Sequence, residues 1–233
     1  MIITIDGAIA TGKSTIAKKL AEEIGYVFYD TGAMYRCVTY GILKEKIDVD
    51  NSLQLEQFLN HFTFDIKIKR GERFYYYQNE DISKKIRGEE VTSFVSKVSA
   101  IKEVREKLVI FQRQLGEGVN AVFEGRDMGT VVFPDAFLKI FLTGNPEVRA
   151  RRRFEELKLK FPEEAKSLTY EKVLEDINSR DLKDSNRDLS PLRQSPDSFV
   201  IDTTALTIDE VVLKILECRD LVQTRSKTNR FLS

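Results

Sequence analysis

Two cysteines and a single histidine in 233 residues leave little room for several kinds of chemistry. Cys37 and Cys218 are far apart and lack the CxxC or Cys/His spacing of a metal site or redox pair, so both are expected to be reduced packing residues. His61 stands in Leu59-Asn60-His61-Phe62 with no ligand or catalytic partner beside it, which argues against histidine catalysis and histidine-rich metal binding. No apolar run approaches a membrane span, and Met1 to Gly7 shows no basic stretch ahead of an apolar one. A cytoplasmic protein with no membrane partner is therefore expected. Lysine plus arginine and aspartate plus glutamate each number 37, so the formal net charge is zero. A protein held to nucleic acid by general attraction would show a cationic excess, so nucleic acid is not expected as a partner either. Repeats and low-complexity linkers are also missing.

What is present is the balance of a soluble globular protein, 42% hydrophobic and 32% charged, in a length that suits an α/β core with one or two inserted segments. Ile2 to Ile5 is a short apolar run that ends at a glycine-containing loop. It gives way to a helical pattern from Lys13 to Glu23 with Ile16, Ala17, Leu20 and Ile24 on one face. Tyr26 to Tyr29, Ala121 to Phe123, Leu138 to Leu142 and Phe199 to Ile201 are further buried-strand candidates separated by helical stretches. The alternation predicts a five-stranded parallel sheet in an α/β fold. Phe62, Phe64, Ile66 and Ile68 instead alternate with polar residues before Gly71-Glu72 and a tyrosine-rich run, which predicts an antiparallel hairpin set into the chain as an insert. Its aromatics, Phe74 to Tyr77, could stack bases, but alternate burial of the rings accounts for them more simply. A helix is predicted from Asn145-Pro146 to about Lys160, with Pro162 breaking it, and a frayed polar tail over 224–233.

Gly7-Ala8-Ile9-Ala10-Thr11-Gly12-Lys13-Ser14 matches G-x-x-x-x-G-K-[ST] at every fixed position, between an apolar strand and a helix as the motif requires. Glycines let backbone N–H groups turn toward anionic oxygens, and the new helix points its positive end at the same place. These residues, together with Thr15, are the expected ATP contacts. Lys13 reaches the β- and γ-phosphates, and the Ser14 hydroxyl faces Mg²⁺ alongside the nucleotide phosphates. The motif alone does not separate kinases from other nucleotide-hydrolysing proteins, but the chain has neither N-K-x-D nor L-S-G-G-Q, and its size suits a small-molecule kinase.

Three more clusters carry groups suited to a phosphorylated nucleoside: Asp30-Thr31-Gly32-Ala33-Met34-Tyr35-Arg36, Glu124-Gly125-Arg126-Asp127-Met128-Gly129-Thr130, and Arg180-Asp181-Leu182-Lys183-Asp184-Ser185-Asn186-Arg187. If the last is helical, Arg180, Asp184 and Arg187 share one face, which suits either convergence on a ligand or a solvated ion-pair surface. Arg149, Arg152 and Arg153 also share a face, as lid arginines or as a basic helix surface.

At these clusters, from about Ile2 to Ile215, the chain resembles the bacterial cytidylate kinases, nucleoside-monophosphate kinases of the P-loop class. The resemblance implies a P-loop kinase domain over 1–233 with a monophosphate-binding insert at 60–95, a lid and nucleotide-contact segment at 150–187, and Mg²⁺ with ATP as donor. It implies that Arg36, Arg126 and Arg187 hold the acceptor phosphate beside Thr31 and Tyr35, that Ser96, Arg105 and Asp127 read the base, and that Arg180 and Asp184 take the ribose, with Asp181 holding those side chains in place. If the helical face of Arg149, Arg152 and Arg153 serves a lid, Arg153 is the arginine expected to act with Lys13 and Arg126 on the transferring group. An ionised Asp127 can accept from the exocyclic amine of cytosine but would face a carbonyl of uracil. The expected partners are ATP, CMP and dCMP, handled by a monomer. The alternatives are another base preference such as UMP, or a non-enzymatic nucleotide-binding switch. Two residues depart from the family's common pattern: Ser14, where glycine is frequent, and Glu124, where aspartate is frequent.

Overall fold

The computed structural model describes residues 1–69, 71–160, 162 and 167–231, with side chains as far as 224. Contacts divide the chain into two compact units, Met1–Tyr29 with Gly116–Ser233, and Asp30–Leu115.

The first unit is built on a five-stranded parallel sheet. Its strands are β1 (Ile2–Gly7), β2 (Val27–Asp30), β6 (Ala121–Gly125), β7 (Leu138–Thr143) and β8 (Phe199–Asp202), in the order β2-β6-β1-β7-β8. All five predicted strands are present. β1 lies in the middle, paired with β6 and β7, and five of its six residues are buried, as an apolar run covered on both faces must be. Helices α1 (Lys13–Ile24) and α8 (Ile208–Phe231) complete its core, where Ile16, Ala17, Leu20, Val211, Val212 and Ile215 meet Ile3, Ile5, Ile140 and Leu142. Helices α6 (Pro146–Lys160) and α7 (Tyr170–Ser185) form a smaller apolar cluster of their own around Ala150, Val173 and Ile177. Of the lid segment expected at 150–187, residues 161 and 163–166 lie outside the described residues. So do the side chains of the 224–233 tail beyond 224. No helix among the described residues is long and apolar enough to cross a membrane.

The second unit contains α2 (Thr31–Lys44), α3 (Ser52–His61), α4 (Glu89–Val98), α5 (Lys102–Gly116) and a three-stranded antiparallel sheet of β3 (Asp65–Lys69), β4 (Glu72–Tyr77) and β5 (Glu80–Asp81). The predicted hairpin is β3–β4, with Ile66 opposite Tyr75. Tyr75 and Tyr77 are buried while Phe74 and Tyr76 are only partly covered, so the aromatic run is a half-buried strand face. Phe62 packs 5.0 Å from Phe58 and 5.0 Å from Tyr77 between ring centroids, and Phe64 lies 4.9 Å from Phe111. A largely apolar cavity of about 220 Å³, lined by Val38, Phe62, Phe64, Leu108 and Phe111 with Lys107 at its wall, sits within this unit. Cys37 is buried and Cys218 half-buried, and both are free thiols, as expected. Burial pushes the Cys37 thiol far above its ordinary range, which suits an inert packing residue.

Gly41, inside α2, explains how closely the rings approach that helix. A Cβ there would come within 2.5 Å of Phe62 Cε2 and 2.9 Å of Phe58 Cζ. Helix propensity alone favours Gly41→Ala by about 1 kcal/mol, whereas overpacking two fully buried rings costs about 1–3 kcal/mol. Gly41→Ala is expected to destabilise the protein, and a rise in its urea midpoint would contradict this packing.

Candidate active site

The register of the sheet assembles the site before any side chain is considered. Asp6 lies opposite Gly125 and Gly7 opposite Leu142, so the loop leaving β1 emerges beside the segment leaving β6, at the carboxyl ends of the strands where open α/β sheets bind ligands. Gly7 is required by that closeness, because a Cβ would sit 2.3 Å from the carbonyl oxygen of Leu142. Gly12 caps α1 in the left-handed region at φ 86°. No side chain caps this helix and no acidic residue stands in its first turn, which leaves the first N–H groups to an outside anion.

The middle of the loop is gripped by helices α6 and α7. Arg149, 4% exposed, donates from Nη1 to the carbonyl of Ile9 at 2.9 Å and to Asp181 at 2.6 Å, and from Nε to the carbonyl of Gly144 at 2.9 Å. Asp181 in turn accepts from the Ile9 N–H at 3.2 Å. The side chains of Ile9 and Ala10 pack on the α6–α7 cluster, and Ala10 adopts φ 59°, a left-handed conformation that costs a non-glycine residue about 1–2 kcal/mol. Both peptide groups of Ile9 are thus tied to an ion pair that the sequence did not single out. Asp181, expected to hold Arg180 and Asp184 in place, holds the loop and Arg149. Arg152 donates to the carbonyls of Thr203, Thr204 and Leu206, and Arg153 pairs with Glu156 of its own helix at 2.9 Å.

Lys13 is 5% exposed and donates to the Ala8 carbonyl at 2.6 Å, while Thr11 Oγ1 donates to the same oxygen at 3.1 Å. Burial lowers the Lys13 ammonium to about 7, and the charge of Arg126 adds to the effect. Glu124 and Asp184 oppose it, and Arg180 reinforces it. Asp184, 1% exposed, accepts from Arg126 Nε at 2.8 Å and from Arg187. Burial would raise its carboxyl, but Arg126 and Arg187 outweigh that and hold it below the usual range. The condition that Arg180 to Arg187 be helical is met only as far as Ser185. α7 ends at Ser185, and Arg187 reaches Asp184 from beyond the helix end. Asp127 is buried at 2% exposure at the start of a π-turn, Met128–Val132.

In the second unit, Asp30 accepts from the N–H of Ala33 at 2.8 Å and so starts α2, which carries Thr31, Tyr35 and Arg36. Arg36 donates to Thr92 Oγ1 at 2.8 Å and to the Ile86 carbonyl at 3.2 Å. Arg105, 3% exposed, donates to the carbonyl of Ser99 at 2.9 Å with its guanidinium 5.4 Å from the Tyr35 ring. Ser96 is half-buried on α4.

The two departures noted in the sequence touch each other: Ser14 Oγ donates to Glu124 Oε1 at 2.6 Å. A hydroxyl and a carboxylate are hard oxygen donors of the kind Mg²⁺ takes when most of its shell is water and phosphate, so the residues fit that ion. Among the described residues, no cluster of three or more histidine, cysteine or acidic side chains could hold a metal by itself.

A phosphate chain against Lys13 must raise its pKa above the free value of about 7. Between the free and bound values the free protein lacks the proton and the complex carries it. ATP binding is therefore expected to take up about one proton and to weaken about tenfold per pH unit above pH 7 until the bound value is reached. Calorimetry at pH 8.5 in buffers of different ionisation enthalpy reads this directly, and Lys13→Met should abolish the uptake. Arg149→Ala, which releases the Ile9 peptides, should weaken ATP binding by about tenfold or more in the same measurement.

A family model described as cytidylate kinase matches residues 3–220. The chain is 65% identical over 225 residues to a cytidylate kinase of Protochlamydia amoebophila, covering 97% of this chain and 99% of that one. It is 46% identical to a cytidylate kinase of Caldicellulosiruptor saccharolyticus, covering 92% and 93%. Among solved structures it is similar to a gluconokinase from Sinorhizobium meliloti, with a TM-score of 0.51 at 14% identity over 99% of this chain and 96% of that one. That likeness bears on the fold alone. The family-model match and the near-full-length identity, over a chain whose glycine-rich loop, Arg126-Asp127 segment and Asp184 cluster stand together in one unit, show that this chain belongs to the cytidylate kinase family.

Proposed function

We propose that the protein transfers the γ-phosphoryl group of ATP to CMP and dCMP, giving CDP and dCDP, as a cytoplasmic monomer in pyrimidine nucleotide metabolism that engages neither nucleic acid nor membrane. The observation that carries this reading is the charge arrangement around Lys13. A buried ammonium stands in the field of Arg126 and Arg180, with Asp184 bracketed by Arg126 and Arg187, a cluster of fixed cationic groups suited to phosphates arriving from two substrates.

Phosphoryl transfer asks for in-line placement and charge neutralisation more than for covalent chemistry. An anionic oxygen of the CMP phosphate attacks the γ-phosphorus, the bond to the β–γ bridging oxygen breaks, and ADP leaves with that oxygen. No general base is required, because the attacking oxygen already carries charge. The backbone from Gly7 to Thr15 cradles the donor, and Lys13 follows the β- and γ-phosphates. Ser14, with Glu124 beside it, would hold Mg²⁺ with the nucleotide phosphates, and the ion supplies further neutralisation of the transferring group. Arg126 and Arg187 clamp the acceptor phosphate as planar forks, with Asp184 orienting both guanidinium groups and accepting from the ribose beside Arg180. From the second unit the same reading draws Arg36 for the phosphate, Thr31 and Tyr35 for the pocket wall, and Ser96 and Arg105 for the base. Asp127 accepts from the cytosine amine. Arg153 is the lid arginine for the transferring group, whereas Arg149 acts through the loop.

A coupled assay of ADP release with CMP, dCMP, UMP, AMP and GMP tests the reading. CMP and dCMP should lead, and ADP release indifferent to every acceptor would refute it. Lys13→Ala should lower kcat by about a hundredfold or more. Asp127→Ala should raise the KM for CMP by roughly tenfold and narrow its lead over UMP.

A further inference from the structure

Asp6 has no part in the chemistry described above, yet it is an aspartate only 4% exposed, at the end of β1 and directly before the glycine-rich loop. Its two carboxylate oxygens are both committed. Oδ1 accepts from the N–H of Met128 at 2.9 Å, and Oδ2 from the N–H of Gly129 at 2.8 Å. These are the first two residues of the π-turn that follows Arg126 and Asp127. Asp127 occupies the cap position of that turn and is a residue type well suited to capping, but its side chain makes no capping bond there. Asp6, more than 120 positions away in sequence, caps the turn in its stead. Gly129 lets the turn come this close, since a Cβ would lie 3.0 Å from Thr4 Oγ1 and 3.2 Å from the Lys139 side chain.

We propose that Asp6 is a positioning residue for base recognition, a joint that locks the Arg126-Asp127 segment to the root of the phosphate-binding loop and so sets where the Asp127 carboxylate meets the acceptor base. The inference rests on the proposed CMP kinase activity. Two parallel N–H donors need two acceptor oxygens, and only a carboxylate supplies both. An asparagine would offer one acceptor and aim its NH₂ at the second N–H. Burial pushes the carboxyl up to about 6, against the help of the Gly129 and Met128 N–H bonds. Asp127 adds repulsion and Lys13 opposes it, so the bond pair is held at a cost a purely decorative residue would not carry. Because Asp6 is bonded to the turn after Asp127 and not to the loop's own amides, its loss should act on the acceptor more than on ATP.

The test compares wild type with Asp6→Asn and, as a second and smaller neutral variant, Asp6→Ser, in steady-state assays with CMP and UMP at saturating ATP and with ATP at saturating CMP. Thermal unfolding of each is measured alongside. The expected result is a rise of about tenfold in the KM for CMP and a fall of about fivefold or more in the ratio of kcat/KM for CMP over UMP, with the KM for ATP changed by less than about twofold. If neither variant folds well enough for assay, CMP and UMP titrated into whatever folded fraction is recovered should show the same loss of discrimination. Folded variants that keep the wild-type ratio would overturn the proposal, as would variants in which the ATP and CMP constants worsen together in step with a lowered melting temperature. Wild-type protein that releases no ADP in response to CMP would overturn the underlying activity as well, and so is distinguishable from failure of the Asp6 assignment alone.

Discussion

The site depends on keeping positive charge out of water. Lys13 loses much of its affinity for a proton chiefly because it is buried, and the charges of Arg126 and Arg180 add to that loss, while Arg126 and Arg187 are joined through Asp184. Like charges in a desolvated place repel strongly, and Asp184 and Glu124 work against that repulsion. Burial without a full counter-charge favours phosphate: an anion entering this field restores the charge on Lys13 and gains charge-assisted bonds that water would otherwise weaken.

That field is tolerable because the surrounding framework is stiff. β1 is buried along nearly its whole length between β6 and β7, and the approach of Gly7 to the Leu142 carbonyl fixes the point at which the chain turns away from the sheet. The Arg149–Asp181 pair then holds Ile9 by both peptide groups, while its apolar side chain and that of Ala10 seat on the α6–α7 cluster. The backbone that must face phosphate is thus immobilised from behind by groups that need not touch the nucleotide. On the other side of β1, Asp6 does the same for the segment carrying Arg126 and Asp127. Two segments beside β1 are thus braced by charged side chains from distant parts of the chain, Asp6 on the strand itself and the Arg149–Asp181 pair on α6 and α7.

Much of this was legible because the signals are local. Five short apolar runs, a strict alternation from Phe62 to Ile68 and a glycine-rich loop between strand and helix each depend on residues a few positions apart. The runs reappear as strands and the alternation as a hairpin strand from Asp65 onward, while Phe62 closes α3 ahead of it. β5 was not legible, because Glu80-Asp81 carries no apolar pattern and owes its strand character to pairing with Tyr76 and Tyr77. The helical face that Arg180 to Arg187 would share is present only as far as Ser185. Side-chain spacing records a helix while it lasts but not where it stops, and Asn186 ends this one before Arg187. The arginines of α6 were readable as a basic face, but three neighbours on that face have three different partners: the loop backbone, the carbonyls after β8, and Glu156.

By itself the amino-acid order determined the class of fold, the phosphate-binding loop and the chemical types gathered for an acceptor, since periodicity and motif chemistry are properties of neighbouring residues. Tertiary structure alone decided which charges became partners. Ile9 meets Asp181 across 172 positions and Asp6 meets Gly129 across 123, contacts created by the register of a parallel sheet and the packing of distant helices. No local pattern encodes such a meeting, because a lone buried aspartate or arginine reads the same in sequence whether it braces a loop, reads a base or lies on a solvated surface.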